Sequence, residues 1–191
     1  MSLLNNGEGR LGRQAAGFSA QTTQSFIEAH VKNGVLYQMA WHPADVAAGA
    51  NSDLVFTVPA NTIVLIKSRV IQTDAAFMTA DVYDTPTYTG GTILPSYNLN
   101  LNSSNVSASV LRGGPTVTAT GTKVAASSYL LGSSTQGSSQ RVAFSTVPGF
   151  ERFLMPDKTY LLRINNGSSF DARLVVDLVW FEGLPSRYPV I

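Results

Sequence analysis

The sequence predicts an all-β fold, an antiparallel jelly roll or β-sandwich with an extended N-terminal arm and one short helix. Three observations predict it. From Gly34 onward, apolar residues alternate with period two in one run after another, the pattern of strands with one buried face. Pro59, Pro86, Pro115, Pro148 and Pro156 fall between those runs, where a missing amide donor does least harm. A helical period occurs only once. Roughly eight to ten short strands with turns at this spacing imply two packed sheets.

Taken in order, residues 1–20 form the arm: Gly-rich, with Arg10 and Arg13 and no strand or helix period. Its apolar residues Leu3, Leu4, Leu11 and Phe18 are too sparse to offset roughly 1–2 kcal/mol of backbone entropy per ordered residue. Order in the arm is therefore expected to come from a partner chain, with Arg10 and Arg13 pairing acidic groups and Leu11 and Phe18 filling apolar notches. Residues 21–191 form one domain. QTTQSFIEAHVKNG sets Phe26, Ile27, His30 and Val31 on one helical face and stops at Asn33-Gly34, a helix of about residues 22–33.

Strands follow. VLYQMAW puts Val35, Tyr37, Met39 and Trp41 on one face, and LVFTV does the same with Leu54, Phe56 and Val58 before Pro59. TIVLIKSRVIQT is apolar on both faces until Lys67 and Arg69. AAFMTADVYDT, TILPSYNL, PTVTATGT, VAASSYLL, RVAFSTV and FERFLM come next, with Pro95 marking TILPSYNL as an edge. TYLLRINN and FDARLVVDLVWFE read as a closing hairpin. Tyr160, Leu162 and Ile164 must share a face with Phe170, Ala172, Leu174, Val176, Leu178 and Trp180, which requires an odd loop pairing Ile164 with Phe170. Val and Phe on the opposite face, at Val175, Val179 and Phe181, indicate that it too is covered, by another segment or another subunit.

Between the clearer strands lies a loop-rich excursion, residues 86–140. NLNLNSSNVSASV, Asn98 to Val110, is typical of it, and Thr85 to Phe150 holds no Asp or Glu and only Arg112, Lys123 and Arg141 as charges. Over the whole chain charged residues are 13%, about half the globular average of about 25%. Such a surface can be covered by a neighbour without burying an uncompensated ion, which would cost several kcal/mol. With 13 basic against 12 acidic residues, the net charge of +1 leaves no footprint for nucleic acid or a membrane surface. The first ten residues, MSLLNNGEGR, do not read as a signal peptide. Cys is absent, which removes disulfides and thiolate chemistry.

Chemistry-bearing constellations are sparse. His42 in WHPAD lacks the second His a metal site of this kind needs, and His30 reads as a packing residue on the helix face. Asp81 and Asp84 point to opposite faces of a strand, so they form no acid–base pair, while Asp53, Asp74 and Asp157 fall at turns or strand ends. No nucleophile elbow, phosphate loop or dinucleotide fingerprint occurs, so neither cofactor nor metal is expected and the chain reads as a non-enzyme. Trp41, Tyr37, Tyr83, Tyr88, Tyr97 and Tyr129 raise the question of a sugar platform; Trp41 and Trp180 are placed in the core, and the loop tyrosines stay open.

GGTILPSYNLNLNSS, GGPTVTATGTKV and LMPDKTYLLRINNGSSFDARLVVDLVWFEG together resemble small virion proteins of tailed bacteriophages. The matching residues are Gly91-Thr92, Asn98 and Asn100, Pro115 to Thr122, and Tyr160 to Glu182, so the resemblance spans residues 88–183, about half the chain. It implies a capsid cement or decoration protein on the phage particle, made in the host cytoplasm and binding the major capsid protein and copies of itself as a dimer or trimer. A tail, collar or fibre-base component and a carbohydrate-binding jelly roll are the alternatives. The partner-binding residues expected on this reading are Arg10, Leu11, Arg13 and Phe18 in the arm and Tyr97, Asn98, Asn100 and Arg112 in the excursion.

Overall fold

The structure, a computed structural model, describes residues 9–11, 21–23, 26–75, 77–130, 142–144 and 152–184, with side chains for 28–75, 77–130 and 152–184. At its start Gly9–Leu11 (β1) pairs antiparallel with Gln21–Thr23 (β2), and the helix α1 spans Phe26–Lys32. One expectation is corrected here. Part of the arm forms a strand whose pairing segment lies outside the arm, in the same chain. The helix begins at Phe26, because residues 22 and 23 are taken up by that pairing. The stop at Asn33-Gly34 holds: Gly34 sits at φ 65°, and a Cβ there would strike the Ser103 side chain, so only glycine fits.

The long strands are Leu36–Trp41 (β3), Asn51–Val58 (β4), Ile63–Thr73 (β5), Met78–Asp84 (β6), Lys158–Asn166 (β16) and Leu174–Gly183 (β17). Between them the excursion supplies only short strands: Thr87–Thr89 (β7), Thr92–Ile93 (β8), Tyr97–Asn98 (β9), Val110–Gly113 (β10), Thr116–Ala119 (β11), Thr122–Lys123 (β12) and Ser128–Leu130 (β13). Val142–Phe144 (β14) and Arg152–Leu154 (β15) complete the set. One sheet runs β12-β6-β16-β4-β10-β8, with β13 also on β6; the other runs β14-β5-β17-β3-β9, with β15 also on β5. Pro95 separates β8 and β9, the terminal strands of opposite sheets, so the predicted single edge strand is two edges joined at a proline. β7 and β11 form a separate two-stranded ribbon.

The fold is therefore an all-β antiparallel sandwich. Tyr37, Met39 and Trp41, Leu54, Phe56 and Val58, Leu162 and Ile164, and Leu174 to Trp180 at alternate positions meet in one core. Each such side chain, fully buried, contributes about 1.5–3 kcal/mol. The Trp180 indole is central, with the Phe56 ring edge-on to it at 5.5 Å. The C-terminal part of the second face of β17 is covered by the chain itself: Leu36, Leu65 and Phe181 pack with Val31, Val35, Leu99 and Val179. His30 is a packing residue here, its ring edge-on to Phe181 at 4.4 Å.

The closing hairpin is corrected. β16 pairs with β4 and β6, whereas β17 pairs with β3 and β5, so the two strands lie in different sheets. Ile164 stands opposite Ser52 and Ala80, not Phe170. Face parity is the same for a hairpin and for an arch between two sheets that share a core, so the predicted faces hold while the pairing does not. The arch is fixed by the buried Asn166 side chain. Its Nδ2 donates to the carbonyls of Val46, Phe170 and Ala47 at 2.8, 2.9 and 3.2 Å, and its Oδ1 accepts from the amide and hydroxyl of Ser168.

Candidate assembly surface

The chargeless stretch does two things at once. Its polar side chains turn inward to hold the end of α1. Asn98 Nδ2 donates to Gly34 O at 2.9 Å and to Asn105 O at 3.1 Å, Asn105 Nδ2 donates to Gly34 O at 3.1 Å, and Asn100 Nδ2 donates to Lys32 O at 3.2 Å. These amides satisfy carbonyls that a helix C-terminus leaves unpaired. The same segment bends through Asx and Ser turns, Asn100 N to Asn98 Oδ1, Asn102 N to Asn100 Oδ1 and Asn105 N to Ser103 Oγ.

A buried carboxylate locks the stretch to the sandwich. Glu182 accepts from Ser107 Oγ at 2.6 Å, Ala108 N at 2.8 Å, Trp180 Nε1 at 2.9 Å and Ser109 N at 3.2 Å. Burial, and then the Glu182 charge, push the nearby Tyr37 hydroxyl above its ordinary range. Glu182 also borders a cleft of about 510 Å³ with His30, Asn33, Thr62 and Leu184.

With the polar groups occupied inward, the apolar ones remain outside. Leu101 is 94% exposed and Val106 84%, and Ile93, Tyr97 and Val110 are also exposed. Register places the three that lie in strands on two different sheets. Ile93 and Val110 lie on the outer face of the first sheet, flanking Arg112, while Tyr97, opposite Gln38, faces outward on the second. The expected partner-binding residues thus fall into groups. Tyr97 is presented to solvent beside Asn98 and Asn100, whose amides serve the helix end. Arg112, on the other sheet's outer face, donates to Gly91 O at 3.4 Å. Arg10 and Leu11 lie in β1 opposite Thr22 and Gln21, and Arg13 and Phe18 fall outside the described residues.

Further along that outer face lies a charged network which the sequence reading missed. Arg163 grips Asp53 with two bonds of 2.8 and 2.7 Å, and Lys123 pairs with Asp81 at 2.7 Å. Asn165 Nδ2 donates to Asp81 Oδ2 and to Thr79 Oγ1, each at 3.0 Å. Burial pushes the Asp81 carboxyl up, but Lys123, Ser127 and Asn165 outweigh it and hold the group below the usual carboxylate range. The hydrogen bond from Lys123 to Asp81 raises the lysine in turn. Period-two pairing across β4, β16 and β6 could have located these residues; which strands pair was the missing information. Asp81 and Asp84 do diverge, Asp84 meeting Lys158 at 3.4 Å.

Among the described residues no group of three or more His, Cys, Asp or Glu is arranged to hold a metal ion. No helix there is long and apolar enough to cross a membrane. No protein-family model, no curated protein and no solved structure matches this chain.

Proposed function

We propose that this is a non-enzymatic structural protein of a tailed-phage particle, a cement or decoration protein that binds the major capsid protein and copies of itself. The observation that carries this reading is the charge-poor excursion: it supplies a terminal strand to each sheet and leaves Ile93, Tyr97, Leu101, Val106 and Val110 exposed. Exposed apolar side chains clustered near one edge suit a partner surface, and a lattice partner covering them meets Arg112 as the one charge among them. The resemblance of residues 88–183 to phage virion proteins supports a phage particle as that lattice. The pairing pattern supports a jelly-roll reading as well: β3, β4, β5 and β6 pair in turn with β17, β16, β15 with β14, and β13 with β12, as in a long ribbon rolled on itself.

Antibody raised against the chain, applied to intact tailed-phage particles from a lysate that contains it, tests the proposal by electron microscopy. Label spread over the head is the expected result. Label confined to the tail or collar would favour the alternative virion role, and particles without label would overturn both. Deleting residues 2–18 is expected to leave the melting temperature nearly unchanged and to weaken particle binding sharply.

A further inference from the structure

The strand register assembles one outward row that the assembly reading does not use. Tyr129 stands opposite Thr79, Thr79 opposite Asn165, and Asn165 opposite Asn51, so β13, β6, β16 and β4 each contribute one side chain to a straight line. At the usual spacing of about 4.8 Å between strands, the row is roughly 14 Å long. Tyr129 at one end is 71% exposed, and Asn51 at the other end is exposed too.

The row is held rigidly and is electrically neutral. Asn165 Nδ2 is spent on Thr79 and Asp81, leaving its Oδ1 as an acceptor with no partner among the described residues. Thr79 Oγ1 accepts that bond, leaving its hydroxyl hydrogen to donate. Beside the row on the same outer face, Asp81 is paired with Lys123 and Asp53 with Arg163, so the neighbouring charges cancel. What remains is an exposed aromatic ring followed by a donor, an acceptor and an amide that is both.

We propose that this row is a shelf for a neutral saccharide chain. Each sugar hydroxyl is at once donor and acceptor, which matches Thr79, Asn165 and Asn51, while the apolar face of a pyranose ring suits the Tyr129 ring. Anionic ligands fit poorly, because an anion must compete with Asp53 for Arg163 and with Asp81 for Lys123. The shelf is separate from the Ile93–Val110 edge, so its failure and the failure of the capsid reading are distinguishable.

Calorimetric and NMR titration of the full chain with maltohexaose, cellohexaose, chitohexaose and mannohexaose tests it. At least one is expected to bind, shifting the amide signals of Tyr129, Asn165 and Asn51. Tyr129→Ala should weaken that binding by about tenfold, a change of about 1.4 kcal/mol, and Asn51→Ala more modestly, both with unchanged melting temperature. Neither substitution should alter labelling of phage heads. Absence of binding by all four sugars at about 5 mM, weaker than the useful millimolar range, overturns the proposal. So does sugar binding that Tyr129→Ala leaves intact, or loss of head labelling in the variants, which would make the row part of the assembly surface.

Discussion

Replacing Glu182 tests how the excursion is held. In Glu182→Ala the Trp180 indole N–H and the Ser109 amide lose their acceptor, and both residues are buried. A buried donor left unpaired costs about 1–3 kcal/mol. Ala108 is exposed, so water can replace the carboxylate at its amide and that bond adds little. The two buried losses share one acceptor oxygen and do not add fully, so the expected destabilisation is about 3–4 kcal/mol, a large share of the about 5–15 kcal/mol typical of a domain. Glu182→Gln retains one oxygen for Trp180, Ser107 and Ser109 but turns an amide NH₂ toward the Ala108 N–H, for about 1–2 kcal/mol. Urea unfolding followed by circular dichroism gives the ranking, wild type above Gln above Ala. Hydrogen exchange at Ser109 should accelerate in the same order. A loss below about 0.5 kcal/mol in the Ala variant, the range of ordinary surface changes, would refute the view that this carboxylate anchors the excursion.

Leu174→Ala should cost about 2–5 kcal/mol in the same assay, since Leu174 is a fully enclosed core residue; a loss of surface size would mean its face is misassigned. Gly113→Ala would place a Cβ 2.5 Å from Trp41 Nε1 and is expected to lose about 1–3 kcal/mol through overpacking, with unchanged stability counting against that close approach. Asp81 has a depressed carboxyl in the folded chain, so its contribution is complete above the unfolded value of about 3.9 and is lost as pH falls below that through the folded value. Urea titrations from neutral pH downward should therefore show a steeper acid loss in wild type than in Asp81→Asn, and parallel curves would contradict the assignment. Adding EDTA should leave the melting temperature unchanged, and a shift of several degrees would reveal a structural metal.

Alternation made one face of each strand legible without any structure. Tyr37, Met39 and Trp41, or Leu174 through Trp180, announce their buried side because each second residue is large and apolar. Partner choice is not written in that alternation. Ile164 and Phe170 satisfy the same parity in a hairpin and in the observed arch, and the arch is decided by Asn166, whose polar type says nothing of the three carbonyls it reaches. The excursion was harder for a related reason. Strands of two to four residues such as β8, β9 and β10 are too short to display a period, so exposure of Ile93 and burial of Leu111 follow from neighbours only. The amides of Asn98 and Asn100, residues expected to face a partner, meet carbonyls far away in sequence at the end of α1, contacts that no local pattern signals.

The nested pairing of strands bears on how the chain comes off the ribosome. Leu36 pairs with Phe181, and Asn51 with Asn165, so the early strands β3 and β4, which meet only the short β9 and β10 beforehand, lack their long sheet partners until β16 and β17 have been made. Synthesis at about 5–20 residues per second leaves those apolar strands waiting for several seconds in an incomplete core. Such long-range closure places folding in the millisecond-to-second range and leaves no self-sufficient half. Nascent chains released before Leu174 would be expected to aggregate or be degraded, and a holding chaperone would raise the yield of the finished sandwich.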